Sequence, residues 1–265
     1  MNILSRLQSW GNWLTRDPVG FLVYLLYLAV AVLSTLILHE VAHGYVAYRC
    51  GDPTARMLGR LSLDPRKHLD PIGTVFMVLF GFGWAKPVPV NPRNFRNRVR
   101  DDLLVSLAGV TVNFTLFLLS LALAVGINGL LWKPELISAV GSRELISSDG
   151  AAFAYLVSGQ GSQLTEYMRV PWLQYVQRFL MLFFSLNLGL GVFNLLPIPP
   201  LDGWHVLDDV VFGDRLSLNP QIHQIARYGL MILALTGMLT TLLSTLTGAI
   251  ESGVLNLFLL MTGRV

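Results

Sequence analysis

Two histidines four residues apart, with a glutamate beside the first, are the residues of this chain best suited to chemistry. His39 and His43 lie in the run His-Glu-Val-Ala-His, and on a helix they would share one face, one turn apart. Two imidazoles at this spacing can reach one zinc ion at about 2.0–2.1 Å each. Glu40 stands where a carboxylate can accept a proton from water activated by the metal. The alternative, two histidines that only pack, is disfavoured because unpaired polar groups in an apolar helix are costly.

The composition indicates a membrane protein. Of the 265 residues, 53% are hydrophobic and 13% are charged, against about one quarter charged in a typical soluble domain. Several apolar runs reach about 20 residues, the length of a transmembrane helix. We therefore expect an all-α polytopic integral membrane protein, with residues 1–265 forming a single domain. The lone cysteine, Cys50, excludes an intrachain disulfide, and no basic–aromatic pattern indicates a nucleic-acid partner.

The hydrophobic runs predict about four transmembrane helices, at residues 20–49, 103–131, 172–196 and 223–248. The apolar residues 250–263 are too few to cross alone, so we expect them to extend the fourth span or to lie at the interface. Residues 1–17 are amphipathic and predict an interfacial segment, with Trp10 and Trp13 at headgroup level. The Ser- and Gly-rich residues 132–171 are expected to form a loop with at most one short helix.

Charge asymmetry predicts the orientation. Residues 49–100 carry ten Lys or Arg with three acids, whereas residues 1–17 carry two Arg with one Asp. The positive-inside rule then places 49–100 in the cytoplasm and the amino terminus outside. Within this stretch, the apolar run 71–84 is too short to cross, and both its ends belong on the cytoplasmic side. Its Gly and β-branched residues, followed by Val-Pro-Val at 88–90, predict a re-entrant segment with extended strands at about 71–91. A surface loop with an apolar patch is the alternative.

Asp202 is the best candidate for a third zinc ligand. A hydrolytic zinc site usually has three protein ligands and one open position. Three of the residues 197–200 are proline, which ends the third span and delivers Asp202 to the same predicted end of the membrane as the histidines. The alternative is that Asp202 is a helix N-cap. His205 and His223 are weaker ligand candidates, and His68 is expected to be solvated in the basic loop.

Gly109 and Asn113 form a second pattern in the predicted second span. They are four residues apart, which would put a small residue and an amide on one helix face. Ordinary packing between membrane helices favours small residues and interhelical amide bonds at such positions. Taken by itself, the spacing supports helix packing at least as well as a functional role.

With these residues in view, the chain resembles the site-2 protease family of intramembrane zinc metalloproteases. The resemblance covers about residues 20–210 and rests on His-Glu-Val-Ala-His in a membrane helix and on Asn-Leu-Leu-Pro-Ile-Pro-Pro-Leu-Asp-Gly at 194–203. Ser-Leu-Ala-Gly-Val-Thr-Val-Asn at 106–113 is similar to the family's middle-helix signature. The chain departs from the family in three respects: no span precedes the motif helix, no PDZ or CBS domain is visible, and Trp204 replaces a small residue. It therefore resembles a compact, core-only member.

The resemblance implies roles for six residues: zinc ligands His39, His43 and Asp202, general base Glu40, and Asn113 and Asn194 beside the site in substrate binding or oxyanion stabilisation. It also implies that residues 71–91 are the β-like element that receives substrate. The cofactor implied is Zn²⁺.

The expected function is zinc-dependent intramembrane endopeptidase activity on transmembrane-helix substrates, near the cytosolic side of a bacterial or archaeal cell membrane. The expected partners are a transmembrane protein substrate and membrane lipid, and no oligomeric state is predicted. A membrane metal transporter is one alternative, but it would typically carry more ionisable residues across several spans. An inactive relative that binds membrane proteins is another, and the intact Glu40 argues against it.

Overall fold

A computed structural model of the chain describes residues 3–73, 85–213 and 220–263. These residues are mostly helical, and their β-structure is limited to isolated bridges that pair Leu69 with Ala85 and Trp132 with Met168. The α-helices are α1 (Ile3–Arg16), α2 (Pro18–Cys50), α3 (Thr54–Met57), α4 (Arg98–Leu131), α5 (Pro134–Val140), α6 (Ser142–Ile146), α7 (Ala151–Val157), α8 (Leu173–Asn194), α9 (Asp202–Leu207), α10 (Pro220–Leu235) and α11 (Met238–Thr262). Most of the predicted re-entrant segment, 74–84, lies outside the described residues.

Among the described residues, four helices are long and apolar enough to cross a membrane. They are α2, α4, α8 and α11, with 33, 34, 22 and 25 residues. The prediction of an all-α, multi-pass membrane protein is therefore confirmed. The first three helices match the predicted spans at 20–49, 103–131 and 172–196 to within a few residues.

The predicted fourth span, 223–248, is wrong in its boundaries. The helix stops at Leu235 and a new one starts at Met238, so the candidate span is α11, which includes most of the apolar residues 250–263. Gly237 has φ of +78°, a left-handed conformation that glycine adopts without steric cost and that commonly ends a helix. The residues on both sides of this break are apolar, so the hydrophobic pattern could not reveal that one helix ends and another begins here.

Residues 132–171 are also more ordered than the predicted loop. They form α5, α6 and α7 and a 3₁₀ helix at Gln160–Tyr167. Contacts with α11 hold part of this stretch: the carboxylate of Glu251 accepts from the backbone N–H and the hydroxyl of Ser148, at 2.7 Å each. Arg143 donates to Ser252 at 2.8 Å. Because these partners are more than 100 residues apart, local composition could not predict them.

The ends of the two longest helices are set by local sequence. At α2, the Asp17 carboxylate accepts from the N–H of Gly20 at 2.9 Å, and Pro18 occupies the first helical position, where its missing N–H costs nothing. At α4, Asn97 accepts from the N–H of Arg100, and Asp101 reaches back to the N–H of Asn97 at 2.9 Å. These side chains satisfy backbone donors that the first helical turn leaves free.

The chain groups into two compact units. The first comprises Leu33–Phe114 and Leu190–Leu243 with the described residues up to Ser5, and it contains every residue predicted for the site. The second comprises Arg6–Val32, Thr115–Gly189 and the carboxy-terminal part from Ser244. The core of the second unit includes the fully buried rings of Phe117 and Phe184, whose centroids are 6.5 Å apart. That residues 1–265 form a single domain stays a prediction.

Asp52 ties the end of α2 to the segment that follows the undescribed residues. It is fully buried, and its carboxylate accepts from the N–H and hydroxyl of Thr54, from the N–H of Asn91 at 2.7 Å and from the side-chain amide of Asn94 at 2.7 Å. Burial alone would raise the pKa of Asp52, but these donors outweigh it and hold the pKa below its ordinary value. The ionised carboxylate therefore stabilises the folded state.

We expect Asp52→Asn to lower the free energy of unfolding at pH 7 by about 1–3 kcal/mol, because it removes the charge and leaves a buried donor without its acceptor. A lowered pKa in the folded state contributes stability above the unfolded pKa of about 3.9, and this stability is lost as pH falls through the folded value. The gap between wild type and variant should therefore shrink below about pH 4.

Unfolding in detergent micelles, followed by tryptophan fluorescence at pH 7 and at pH 3.5, measures both effects. Asp64→Asn is the matched control, since the side chain of Asp64 bonds locally to Arg66. A pH-independent gap, or an equal loss in both variants, would contradict the assignment.

Candidate metal centre

The side chains of His39, His43 and Asp202 converge on one point. The two imidazole Nε2 atoms are 3.0 Å apart, and Oδ2 of Asp202 lies 3.4 Å from that of His39 and 3.3 Å from that of His43. In a tetrahedral site with zinc–ligand bonds of about 2.0–2.1 Å, ligand atoms are roughly 3.3–3.4 Å apart. The triangle is thus close to the size that a zinc ion requires, and among the described residues it is the one group suited to hold a metal.

The Nδ1 atoms determine which way the imidazoles present their lone pairs. Nδ1 of His43 lies 2.7 Å from the carbonyl oxygen of Val105, which can only accept, so Nδ1 carries the proton. Nδ1 of His39 lies 2.6 Å from Oδ1 of Asn113, an amide oxygen that also can only accept, so this Nδ1 carries the proton as well. In the neutral imidazoles, both Nε2 atoms are then unprotonated and face the carboxylate of Asp202, whose buried Oδ2 has no hydrogen-bond donor among the described residues. Three electron-rich atoms in such proximity repel one another unless a cation lies between them, so the donor set fits zinc.

Helix α4 supplies both groups that orient the histidines. Val105 and Asn113 are two helical turns apart, and Gly109 lies midway between them. A Cβ atom built on Gly109 would be 2.5 Å from Cε1 of His39, closer than real side chains approach. Only glycine therefore allows α4 to pack against the two imidazoles. The structure places Gly109 and Asn113 in contact with the motif, rather than at an unrelated packing face.

The chain returns to the histidines where α8 ends. The amide Nδ2 of Asn194, the last residue of α8, lies 3.5 Å from Nε2 of His39. A Cβ atom on Gly203 would overlap the carbonyl oxygen of Leu195, so glycine lets the start of α9 fold closely against the end of α8. This close approach puts Asp202 beside the histidines.

The N-cap alternative for Asp202 is not what the structure shows. The N-cap position of α9 is Leu201, and Asp202 is the first helical residue. Its carboxylate points to the imidazoles. The roles assigned to Asp202 and to the other site residues stay predictions.

Glu40 is held by a backbone group that the sequence did not indicate. Its Oε2 accepts from the N–H of Val88 at 2.7 Å. The segment can come this close because the residue one turn along α2 is Gly44. A Cβ atom at this position would lie 2.8 Å from the side chain of Val88 and would push the segment away. Backbone donors carry no residue-type signal, so only the small residue at position 44 could have suggested the contact.

The remaining histidines lie outside the ligand group. His205 has its Nδ1 4.0 Å from Oδ2 of Asp102, at the start of α4. The expectation that His68 is solvated is wrong: it is 2% exposed, and its Nε2 lies 2.7 Å from the carbonyl oxygen of Ser62. This histidine packs beneath the loop, which charge pattern alone could not show. The side chain of His223 lies outside the described residues.

We expect Asn113→Leu to weaken zinc binding by about 10- to 100-fold, because it removes the acceptor that fixes the ring and tautomer of His39. Competition with a chromophoric zinc chelator measures the affinity. Asn128→Leu is a matched control, since Asn128 is equally buried in α4 and neither of its amide atoms has a partner among the described residues. Equal zinc affinity in Asn113→Leu and wild type would show that the contact does not support the metal.

Comparison with known proteins agrees with this geometry. The sequence profile of Peptidase family M50 matches residues 27–237. The protein named "Putative zinc metalloprotease YwhC" from Bacillus subtilis is 36% identical over 206 residues, which cover 78% of this chain and 77% of that protein. "Putative zinc metalloprotease Rip2" from Mycobacterium tuberculosis is 30% identical over 209 residues, 76% of this chain and 63% of the relative's length. No solved structure matches the chain significantly. The family profile and the two relatives agree, and we conclude that this chain belongs to peptidase family M50, the site-2 protease family.

Proposed function

We propose that this protein is a zinc-dependent intramembrane endopeptidase that hydrolyses peptide bonds in transmembrane-helix substrates near the cytosolic side of the membrane. The observation that carries the proposal is the triangle of His39, His43 and Asp202, with Glu40 adjacent in sequence, on a helix long enough to span a membrane. The basic residues of 49–100 favour the cytoplasm for the end of α2 that carries the motif.

His39, His43 and Asp202 would hold the ion, which acts when bound as a Lewis acid on water and on the scissile carbonyl. Glu40 takes a proton from the attacking water and returns it to the leaving amine. The hydrogen bond from Val88 keeps this carboxylate oriented beside the first ligand. Asn194, whose Nδ2 lies at the edge of the ligand triangle, donates to the oxyanion that develops on the substrate.

A helical substrate must be locally extended before it is cut. In a helix, each carbonyl is hydrogen-bonded and shielded by side chains, and lipid offers no replacement for the bonds lost on unwinding. The residues 85–91 are not helical over most of their length and approach Glu40 through Val88. Their position supports a docking role for the predicted 71–91 segment, in which the substrate pairs with it as an added strand.

We expect Glu40→Gln to retain zinc and to lose at least about 100-fold in cleavage rate, because the amide cannot shuttle a proton. His39→Ala is the contrasting variant and should empty the site. Zinc content of the purified protein, measured alongside cleavage of a membrane substrate, separates the two effects. Full turnover by Glu40→Gln would rule out the proposed mechanism, whereas zinc retained in His39→Ala would rule out the ligand set.

We also expect substrates with Gly, Asn or Pro near the cut to be cleaved faster than a continuous poly-Leu helix, because these residues weaken the helix locally by about 1 kcal/mol for Gly and about 3 for Pro. A matched pair of substrates that differ only at these positions gives the rates, and mass spectrometry of the fragments locates the cut. Equal rates, or cuts on the outer side of the bilayer midplane, would contradict an unwinding mechanism on the cytosolic side.

A further inference from the structure

Within the described residues, the second unit buries a cation without a counter-charge. Arg178, in the second turn of α8, is 4% exposed, and its Nε and one terminal nitrogen have no hydrogen-bond partner among the described residues. Its guanidinium lies over the ring of Tyr27, 4.6 Å from the centroid. An arginine cannot lose its proton under ordinary conditions, so the charge persists after burial. A buried, unpaired charge within a membrane helix is costly and commonly marks a site.

The surroundings of this guanidinium are aromatic rather than acidic. Among the described residues, no ion pair within 4 Å includes this guanidinium, and the ionisable groups that act on it electrostatically are Tyr27, Tyr24 and Tyr175. Stacking on an aromatic face stabilises a cation by about 0.5–2 kcal/mol, less than burial of the charge costs. The arrangement therefore lacks an anion, and nothing among the described side chains supplies one.

A cavity of about 60 Å³ lies against Arg178, with room for a group larger than one water molecule. Two glycines, Gly159 and Gly161, line it. Gly159 has φ of +79°, and a Cβ atom there would come to 3.4 Å from the guanidinium. At Gly161, a Cβ atom would overlap the amide oxygen of Gln174. At these two positions the loop therefore presents backbone rather than a side chain to the cavity.

The position of the cavity along α8 is that of a lipid headgroup. Arg178 lies five residues after Leu173, or about 8 Å from the start of the helix. Trp172 and Tyr175, 62% and 57% exposed, precede Arg178 by six and three residues, within about two helical turns of it. Exposed Trp and Tyr of membrane proteins concentrate at the interface, next to the lipid phosphates. A phosphate oxygen pair also matches the planar fork of an arginine, with two parallel charge-assisted hydrogen bonds.

We propose that Arg178 and the cavity lined by Gly159, Gly161, Ser162, Gln174 and Tyr175 bind a phosphate group, that of a phospholipid headgroup. The site is in the second unit and is independent of the proposed peptidase activity. A free phosphate ion shares the same chemistry, and the experiment below distinguishes the two sources.

The test uses the purified full chain, delipidated in detergent. Phosphatidylglycerol, diacylglycerol with the same acyl chains, and inorganic phosphate are added in separate titrations. Binding is followed by native mass spectrometry and by the thermal midpoint. We expect one tightly held phosphatidylglycerol per chain and a rise in midpoint, at least about 100-fold weaker binding of inorganic phosphate, and no such binding of diacylglycerol.

Arg178→Met should bind phosphatidylglycerol at least about tenfold more weakly, because it loses charge-assisted hydrogen bonds to the phosphate. Without lipid its midpoint should equal or exceed that of wild type, since an apolar chain of similar length replaces a buried charge. Arg178→Lys, which keeps the charge but not the fork, should fall between the two and provides a test if the methionine variant does not fold. Arg169→Met is the matched control, because Arg169 is exposed in the same unit.

Four results would overturn the proposal. Unchanged phosphatidylglycerol binding in Arg178→Met would show that the arginine is not the site, and wild-type affinity in Arg178→Lys would exclude recognition by the fork. Equal binding of diacylglycerol would show that the acyl chains, not the phosphate, are recognised. If inorganic phosphate bound as tightly as the lipid, the site would be one for a free anion and the headgroup assignment would be wrong.

Discussion

The close packing of α4 against the motif on α2 is the contact on which the candidate metal centre depends. Gly109 removes the side chain that would separate the helices, and this brings an amide and a backbone carbonyl of α4 to the Nδ1 atoms of His39 and His43. These bonds place both protons on the far side of the rings and leave both Nε2 atoms free for a metal. Without this contact, the histidines would share a helix face but not a common orientation.

The third ligand reaches this pair through a second close approach. A chain that leaves α8 through three prolines cannot continue as a helix, but the prolines alone do not determine where it goes. Gly203 permits its return against the carbonyl groups at the end of α8, and Asp202 arrives beside the imidazoles. Small residues thus decide the geometry in both places, because the ligand atoms must lie about 3 Å apart while their backbones belong to different helices.

A buried carboxylate is costly unless donors pair with it, and two carboxylates of the described residues, Asp52 and Glu251, are paired in this way. Asp52 is buried with four donors, and Glu251 accepts from Ser148, which lies in the turn between α6 and α7. Arg178 differs because aromatic rings and an open cavity surround it instead of acceptors. The contrast between satisfied carboxylates and an unsatisfied guanidinium is the reason to regard the former as structural and the latter as a binding group.

The sequence by itself determined the membrane class, three of the four predicted spans, the candidate metal-binding motif and the candidate third ligand. These follow from hydrophobic length, from the 3.6-residue helical period and from residue chemistry, all of which are local. Only the tertiary structure decided the break at Gly237, the helices within 132–171, the burial of His68 and the hydrogen bond from Val88 to Glu40. Each of these depends on backbone conformation or on partners far apart in the chain, neither of which leaves a mark on the local pattern of residue types.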